Sequence, residues 1–196
     1  DFNGNFDYMT LREFAKKEYC LKYELDYGRQ IIESPELLSQ YWWTYALMIA
    51  RQWKIVNACL KNEISSFMDV NSVEIIDYGC GQGGASLCFL DKFYKAYKKN
   101  ISKIKLIDAG SLALQQGKMF LENYQSNIQI VAINKELDDL ETKDLETDQN
   151  LWKIHLFSNV LDIKNFKITG LVSKLLESIK KSKGKHSLIA VSYDCA

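Results

Sequence analysis

"IIDYGCGQGGASLCF", residues 75–89, holds four of the ten glycines of this 196-residue chain, and they follow directly on a pair of isoleucines. A glycine turn between an apolar strand and a helix lets backbone amides approach whatever lies beyond the strand, at positions where a side chain would hold a ligand off. Two spacings are satisfied at once. Gly79, Gly81 and Gly84 fit the dinucleotide pattern G-x-G-x-x-G, while Asp77, Gly79, Gly81 and Gly83 fit acid-x-G-x-G-x-G. Glycine spacing alone does not choose between them.

Outward from the turn, short apolar runs alternate with helical patterns. The runs are "VEIID" (73–77), "KIKLID" (103–108), "IQIVAI" (128–133), "KIHLFSN" (153–159) and "SLIAVS" (187–192), with helices expected after the turn, from Ser111 to about Tyr124, and over about 167–181. Five near-continuous apolar strands separated by helices predict a doubly wound α/β unit, a mostly parallel sheet covered on both faces. Right-handed crossovers favour the strand order 3-2-1-4-5, with the ligand beyond the carboxyl ends of strands 1 and 4. The glycine turn lies at that switch point.

Upstream, residues 1–70 read as a helical region preceding the α/β unit of residues 71–196. One or two short helices are expected before residue 33. Ser34 as cap, Pro35 at the first helical position and Glu36 in the first turn begin a longer one. Leu38, Trp42, Tyr45, Ile49, Trp53, Val56, Leu60, Ile64 and Phe67 then recur at intervals of three and four, predicting one helix over about 35–67.

Lysine plus arginine equals aspartate plus glutamate at 25 each, so no net field draws the chain towards nucleic acid or an anionic membrane. The five cysteines, 20, 59, 80, 88 and 195, are scattered through apolar patterns, which predicts free thiols in a reducing, cytoplasmic compartment. No apolar run approaches the roughly 18 residues of a membrane helix, and no membrane partner is expected. The chain begins at Asp1 without a methionine, and a piece of something longer is expected.

Asp77 separates the two glycine readings. A buried carboxylate two residues before the first glycine would repel a pyrophosphate and suit a cationic amino group. "DYGCGQG" (77–83) resembles motif I of the class I S-adenosylmethionine-dependent methyltransferases, whose cofactor carries an α-ammonium and a sulfonium. The resemblance covers residues 73–196 and implies S-adenosyl-L-methionine as cofactor. It implies that Asp77 orients the methionine end, that Gly79, Cys80, Gly81 and Gly83 pass beneath it, and that Asp108, at the end of the second strand, grips both ribose hydroxyls. Ala109 follows in what is similar to the second motif. Asn134 and Glu136 are placed near the adenine amino group, and "HLFSNVLDI" (155–163) is similar to the segment bordering the transferable methyl. There Ser158, at the edge of the cofactor, and Asn159 are the candidate catalytic residues, a hydroxyl and an amide able to orient an acceptor nucleophile.

Two rivals remain open: a methyltransferase-like binding module without turnover, and a nicotinamide-dependent oxidoreductase, against which Asp77 argues. The chain also departs from the family pattern. It stops at "AVSYDCA" (190–196) straight after strand five, where the family adds an antiparallel pair of strands. Strand five is therefore expected to be a bare edge, open to further residues of the same chain or to another chain. "FSNV" (157–160) stands where amino-group methyltransferases of DNA and protein glutamine carry N/D-P-P-Y/F.

Methyl transfer from a sulfonium is a direct displacement, so alignment matters more than a fixed triad. Among other residues, His155 is expected as a core residue of its strand and His186 in a surface turn without a role. With the two histidines far apart and no paired cysteines, no metal is expected. Cys80 reads as a spacer, not a nucleophile. Trp42 and Tyr45 lie on the core stripe, whereas Tyr41 and Trp43, off it, are candidates for contact with a substrate or partner. The lysines of 92–105 and the acids of 136–148 read as solvated faces.

Overall fold

The computed structural model describes residues 8–15, 19–28, 30–60, 72–97, 101–124, 126–147, 151–161 and 168–192. The amino-terminal region contains helix α1 (Tyr8–Phe14), a 3-10 stretch over Tyr19–Gly28 and the long helix α2 (Pro35–Cys59). Helix α2 begins as its sequence requires: Pro35 needs no backbone donor, and Ser34 Oγ accepts from the Leu37 amide at 3.2 Å. It buries Leu38, Trp42, Ala46, Ile49 and Trp53 along one face. It ends at Cys59, short of the expected residue 67, with Leu60 in the turn that follows. Spacing of apolar residues carries no stop signal, and the stripe gave no reason to halt there. Ile64 and Phe67 lie outside the described residues.

The sheet has five parallel strands, β1 (Val73–Tyr78), β2 (Ile101–Asp108), β3 (Gln129–Asn134), β4 (Trp152–Ser158) and β5 (His186–Val191), in the order β3-β2-β1-β4-β5. Helices α3 (Gly84–Tyr97), α4 (Ser111–Tyr124) and α5 (Ile168–Lys181) make the connections. One core joins α2, α3 and α4 to Ile75, Ile104, Leu106, Ile154 and Leu156. On the opposite face Ile76, Tyr78, Ile107 and Phe157 meet Leu171 and Leu175 of α5. Burial on both sides explains why β1 reads as an unbroken apolar run.

Three expectations for charged and polar residues are corrected. Lys105 is not on a solvated face: it is buried, and its ammonium donates to the carbonyls of Asp144 (3.0 Å) and Glu146 (2.6 Å). The acidic loop after β3 is not simply solvated either. It folds into 3-10 turns over Leu137–Asp139 and Thr142–Leu145 and buries Leu137, Leu140 and Leu145, because an apolar residue every few positions lets the acids point out while the leucines seal the α5 face. Thirdly, the two histidines are not apart.

The parallel register sets Lys153 beside His186, and the two-residue period of a strand puts His155 on the same face. His155 Nε2 and His186 Nδ1 are 3.0 Å apart, with Tyr78 Oη 3.0 Å from His155 Nδ1 and Ser182 Oγ 3.3 Å from His186 Nε2. His186 is the first residue of β5, not a surface turn.

Burial, then the neighbouring His186, Lys153 and Lys105, hold His155 down at about 3; burial and Lys153 lower His186 as well. A histidine kept neutral in the fold but charged when unfolded supports stability above pH about 6.5 and loses it as pH falls towards the folded value. At pH 5 the share of His155 is about 2 kcal/mol. Urea unfolding at pH 7.5 and pH 5 is therefore expected to show a smaller acid loss for His155→Gln than for the parent. Equal losses would show that the imidazole is not held neutral.

Candidate functional site

Where β1 ends, the chain turns through Gly79, Gly81 and Gly83, all at positive φ (61°, 50° and 74°), before entering α3. At Gly79 a Cβ would stand 2.6 Å from Val160 Cγ2, so backbone conformation and space both demand glycine. Gly79→Ala is expected to destabilise by about 2–3 kcal/mol, read as a lower urea midpoint at unchanged slope. The loop is tied to β2 by the Cys80 amide, which donates to the Ile107 carbonyl at 3.0 Å.

Asp77 is fully buried one residue before the end of β1. Its Oδ2 accepts from Ser86 Oγ (2.6 Å) and from the Ser86 amide (3.2 Å), in the first turn of α3. Its Oδ1 has no hydrogen-bond partner. Burial pushes the carboxyl up to about 7; the Ser86 bonds oppose this and the charge of Asp108 adds to it. A buried carboxylate oxygen without a donor is costly alone and suited to a cationic donor brought by a ligand.

Asp108 closes β2 with its oxygens turned back to the loop. Oδ2 accepts from the Gly81 amide (2.7 Å) and Oδ1 from the Gly110 amide (2.8 Å). Burial raises its pKa against these two bonds, and Glu136 adds to the rise. Each oxygen keeps a further lone pair, so clamping the turn does not exhaust the carboxylate as an acceptor of hydroxyl donors. Asn134, in register with Asp108, donates to the Asp108 carbonyl (3.0 Å) and the Ala109 carbonyl (2.7 Å), while Glu136 is exposed at the start of the following 3-10 turn.

The expected site residues thus form two groups. Asp77, Gly79, Cys80, Ser158 and Asn159 border one cavity beneath Tyr41 and Trp42 of α2; Gly81, Asp108, Ala109, Asn134 and Glu136 gather along the exits of β2 and β3. Cys80 is buried, and burial followed by the two nearby carboxylates pushes its thiol up, so it is no nucleophile. Tyr41 reaches the cavity. Trp43 does not border it: it lies beneath the Arg12 guanidinium at 4.2 Å and accepts from Arg12 Nε through its carbonyl.

Ser158 and Asn159 are engaged from above by α2. Trp53 Nε1 donates to Ser158 Oγ at 3.3 Å. The amides of Gln52 and Asn159 bond reciprocally, at 3.0 and 2.9 Å, with Asn159 in the left-handed region at φ 55°. The cavity between Asp77 and this cover measures about 30 Å³, room for about one water. A wider depression of about 310 Å³ lies between α1, α2 and α3.

Asp162, the acid of the segment "HLFSNVLDI" (155–163), lies outside the described residues. Ser86, Gln52 and Trp53 were not legible as neighbours of the candidate site residues. Their roles depend on which helix lies over which strand end, and only the nine-residue interval from Asp77 to Ser86, one loop and a first helical turn, carried a usable signal.

The acceptors fit a ligand with an ammonium at one end and a diol at the other: an unpartnered carboxylate oxygen, a side-chain-free turn and a second acid at the next strand end. Among the described residues no three metal-ligating side chains converge, and no helix is long and apolar enough to cross a membrane.

No protein-family model matches the sequence, and no curated protein matches it. Solved structures with a similar fold include S-adenosylmethionine-dependent methyltransferases. Magnesium protoporphyrin IX methyltransferase from Synechocystis, solved with S-adenosylmethionine bound, is 15% identical, covers 90% of this chain and 74% of its own, and has a TM-score of 0.45. A methyltransferase from Archaeoglobus fulgidus is 18% identical over 76% of this chain and 58% of its own, at 0.40. One from Leishmania major is 10% identical over 86% and 58%, at 0.46. The chain spans 66%, 49% and 46% of three further solved chains.

Proposed function

We propose that the chain binds S-adenosyl-L-methionine at the carboxyl ends of β1 and β2 and serves methyl transfer to an acceptor held against the end of β4. The observation that carries this reading is the buried, unpartnered Oδ1 of Asp77 behind a turn of three positive-φ glycines. When bound, the cofactor supplies an electrophilic methyl on a sulfonium. Asp77 receives the ammonium, Asp108 the ribose hydroxyls, and Ser158 and Asn159 face the acceptor.

The cavity of about 30 Å³ beside Asp77 has room for about one water, so α2 has to draw back for the methionine end of the cofactor to enter. The occupation of Ser158 and Asn159 by α2 also supports a second reading, a methyltransferase-like module that binds without turnover. In either reading the outer edge of β5, where Leu188 is 57% exposed, offers a place for further strands of this chain or of a partner.

Titration calorimetry with S-adenosylmethionine, S-adenosylhomocysteine and NAD tests the proposal. The first two are expected to bind, with at least tenfold loss in Asp108→Ala, a removed charged acceptor being worth about 1.5–3 kcal/mol. Preference for NAD would overturn it. Binding without transfer to any acceptor in a screen would favour the second reading.

A further inference from the structure

Both polar side chains that the proposed transfer would present to an acceptor are held by two consecutive residues of one helix. Gln52 meets Asn159 at two points and Trp53 meets Ser158 at one, while Trp53 also packs edge-on against Phe89 of α3 at 6.1 Å. The same helix roofs the cavity through Tyr41, Trp42 and Ile49. Asn159 stands in the left-handed region at φ 55°, a conformation asparagine adopts more readily than most side chains. A carboxamide bonded face to face with another carboxamide engages one of its N–H donors and its oxygen together.

We infer that α2 is a self-inhibitory bolt: Gln52, with Trp53 beside it, occupies the seat of the methyl acceptor, and the closed position of α2 keeps cofactor and acceptor out together. This rests on the reading of the site given above. An acceptor must displace the Gln52 amide, and it matches what it displaces only by offering Asn159 a hydrogen-bond donor beside an acceptor. Because the closed form binds no cofactor, the measured affinity is the intrinsic one reduced by the fraction of molecules that are open.

The test combines hydrogen exchange with calorimetry on the full chain. Gln52→Ala and Trp53→Phe, which remove bolt contacts but keep α2 apolar, are expected to speed amide exchange over residues 49–59 by about tenfold. They are expected to tighten S-adenosylhomocysteine binding by a similar factor. Ile55→Ala, on the exposed side of the same helix, serves as control and is expected to do neither.

Unchanged exchange and unchanged affinity in Gln52→Ala would overturn the bolt. Faster exchange with unchanged affinity would overturn it too, whereas no binding of S-adenosylhomocysteine by parent or variants would remove the cofactor reading on which the bolt rests. Should Trp53→Phe fail to fold, Gln52→Ala alone decides, since Gln52 is only partly buried.

Discussion

Asp77→Asn is expected to abolish binding of S-adenosylhomocysteine and, at the same time, to make the protein more stable. The two effects have one cause. The carboxylate sits fully buried with one oxygen unpartnered, so in the free protein its charge is a burden, and towards an ammonium it is the one acid among the described residues that line the cavity. Leaving a buried ammonium without its partner costs about 3 kcal/mol or more, which is over 100-fold in affinity.

The stability gain has a defined pH window. The folded pKa of about 7 lies above the unfolded value near 3.8, so the folded state holds a proton that the unfolded state releases between those values. The parent therefore loses stability as pH rises from about 4 to 7. Asn, which does not titrate, loses none, and the gap between variant and parent should open across that interval and stay constant above it. Urea unfolding at pH 5 and 8 measures this.

Binding follows the opposite course: affinity should weaken about tenfold per pH unit below 7, with proton release visible as a dependence of the binding heat on the buffer. An Asp77→Asn protein that still binds, or a pH-independent affinity, would show that the carboxylate does not face the ligand.

Gly117→Ala is the second large effect, and its sign is the reverse of the usual one. Alanine in the middle of a helix is normally favoured over glycine by about 1 kcal/mol. In α4, however, a Cβ at Gly117 would lie 2.9 Å from the Gln82 carbonyl carbon, 3.0 Å from the Gly83 nitrogen and 3.2 Å from the Gln82 oxygen. These are backbone atoms of the glycine turn and cannot swing aside, so helix and loop must separate. Overpacking of this kind costs about 1–3 kcal/mol net, or roughly 5 °C in melting temperature for a chain of this size. The displaced turn carries the Gly81 amide away from Asp108, so ligand affinity should fall as well. A variant as stable as the parent would mean that α4 does not press on the turn.

Gly117 also shows where reading the sequence stopped. Strand and helix patterns, the 3-2-1-4-5 order and the acids at the ends of β1 and β2 were legible because each depends on local periodicity or on topology that handedness restricts. Gly117 carries no local signal: within α4 it looks like a weak helix former, and its purpose exists only once α4 lies against residues 82 and 83. His186 was misread for a related reason, since its partner His155 is 31 residues away and the register of β4 with β5 brings them together. Lys105 looked solvated because lysine usually is, whereas the carbonyls that receive it come from a loop about 40 residues on. The end of α2 was missed because apolar spacing continues past it.

Asp77 and Asp108 stand on either side of one turn, and the charge of Asp108 makes ionisation of Asp77 harder. Hydroxyl donors bonded to Asp108 spread that charge and ease the ionisation of Asp77, which then receives an ammonium more readily. Methionine and adenosine, supplied as separate molecules, should on that account reinforce one another, each lowering the dissociation constant of its companion by an equal factor, as linkage demands. The turn would act as a fulcrum, giving the joined compound an advantage beyond simple tethering of its halves.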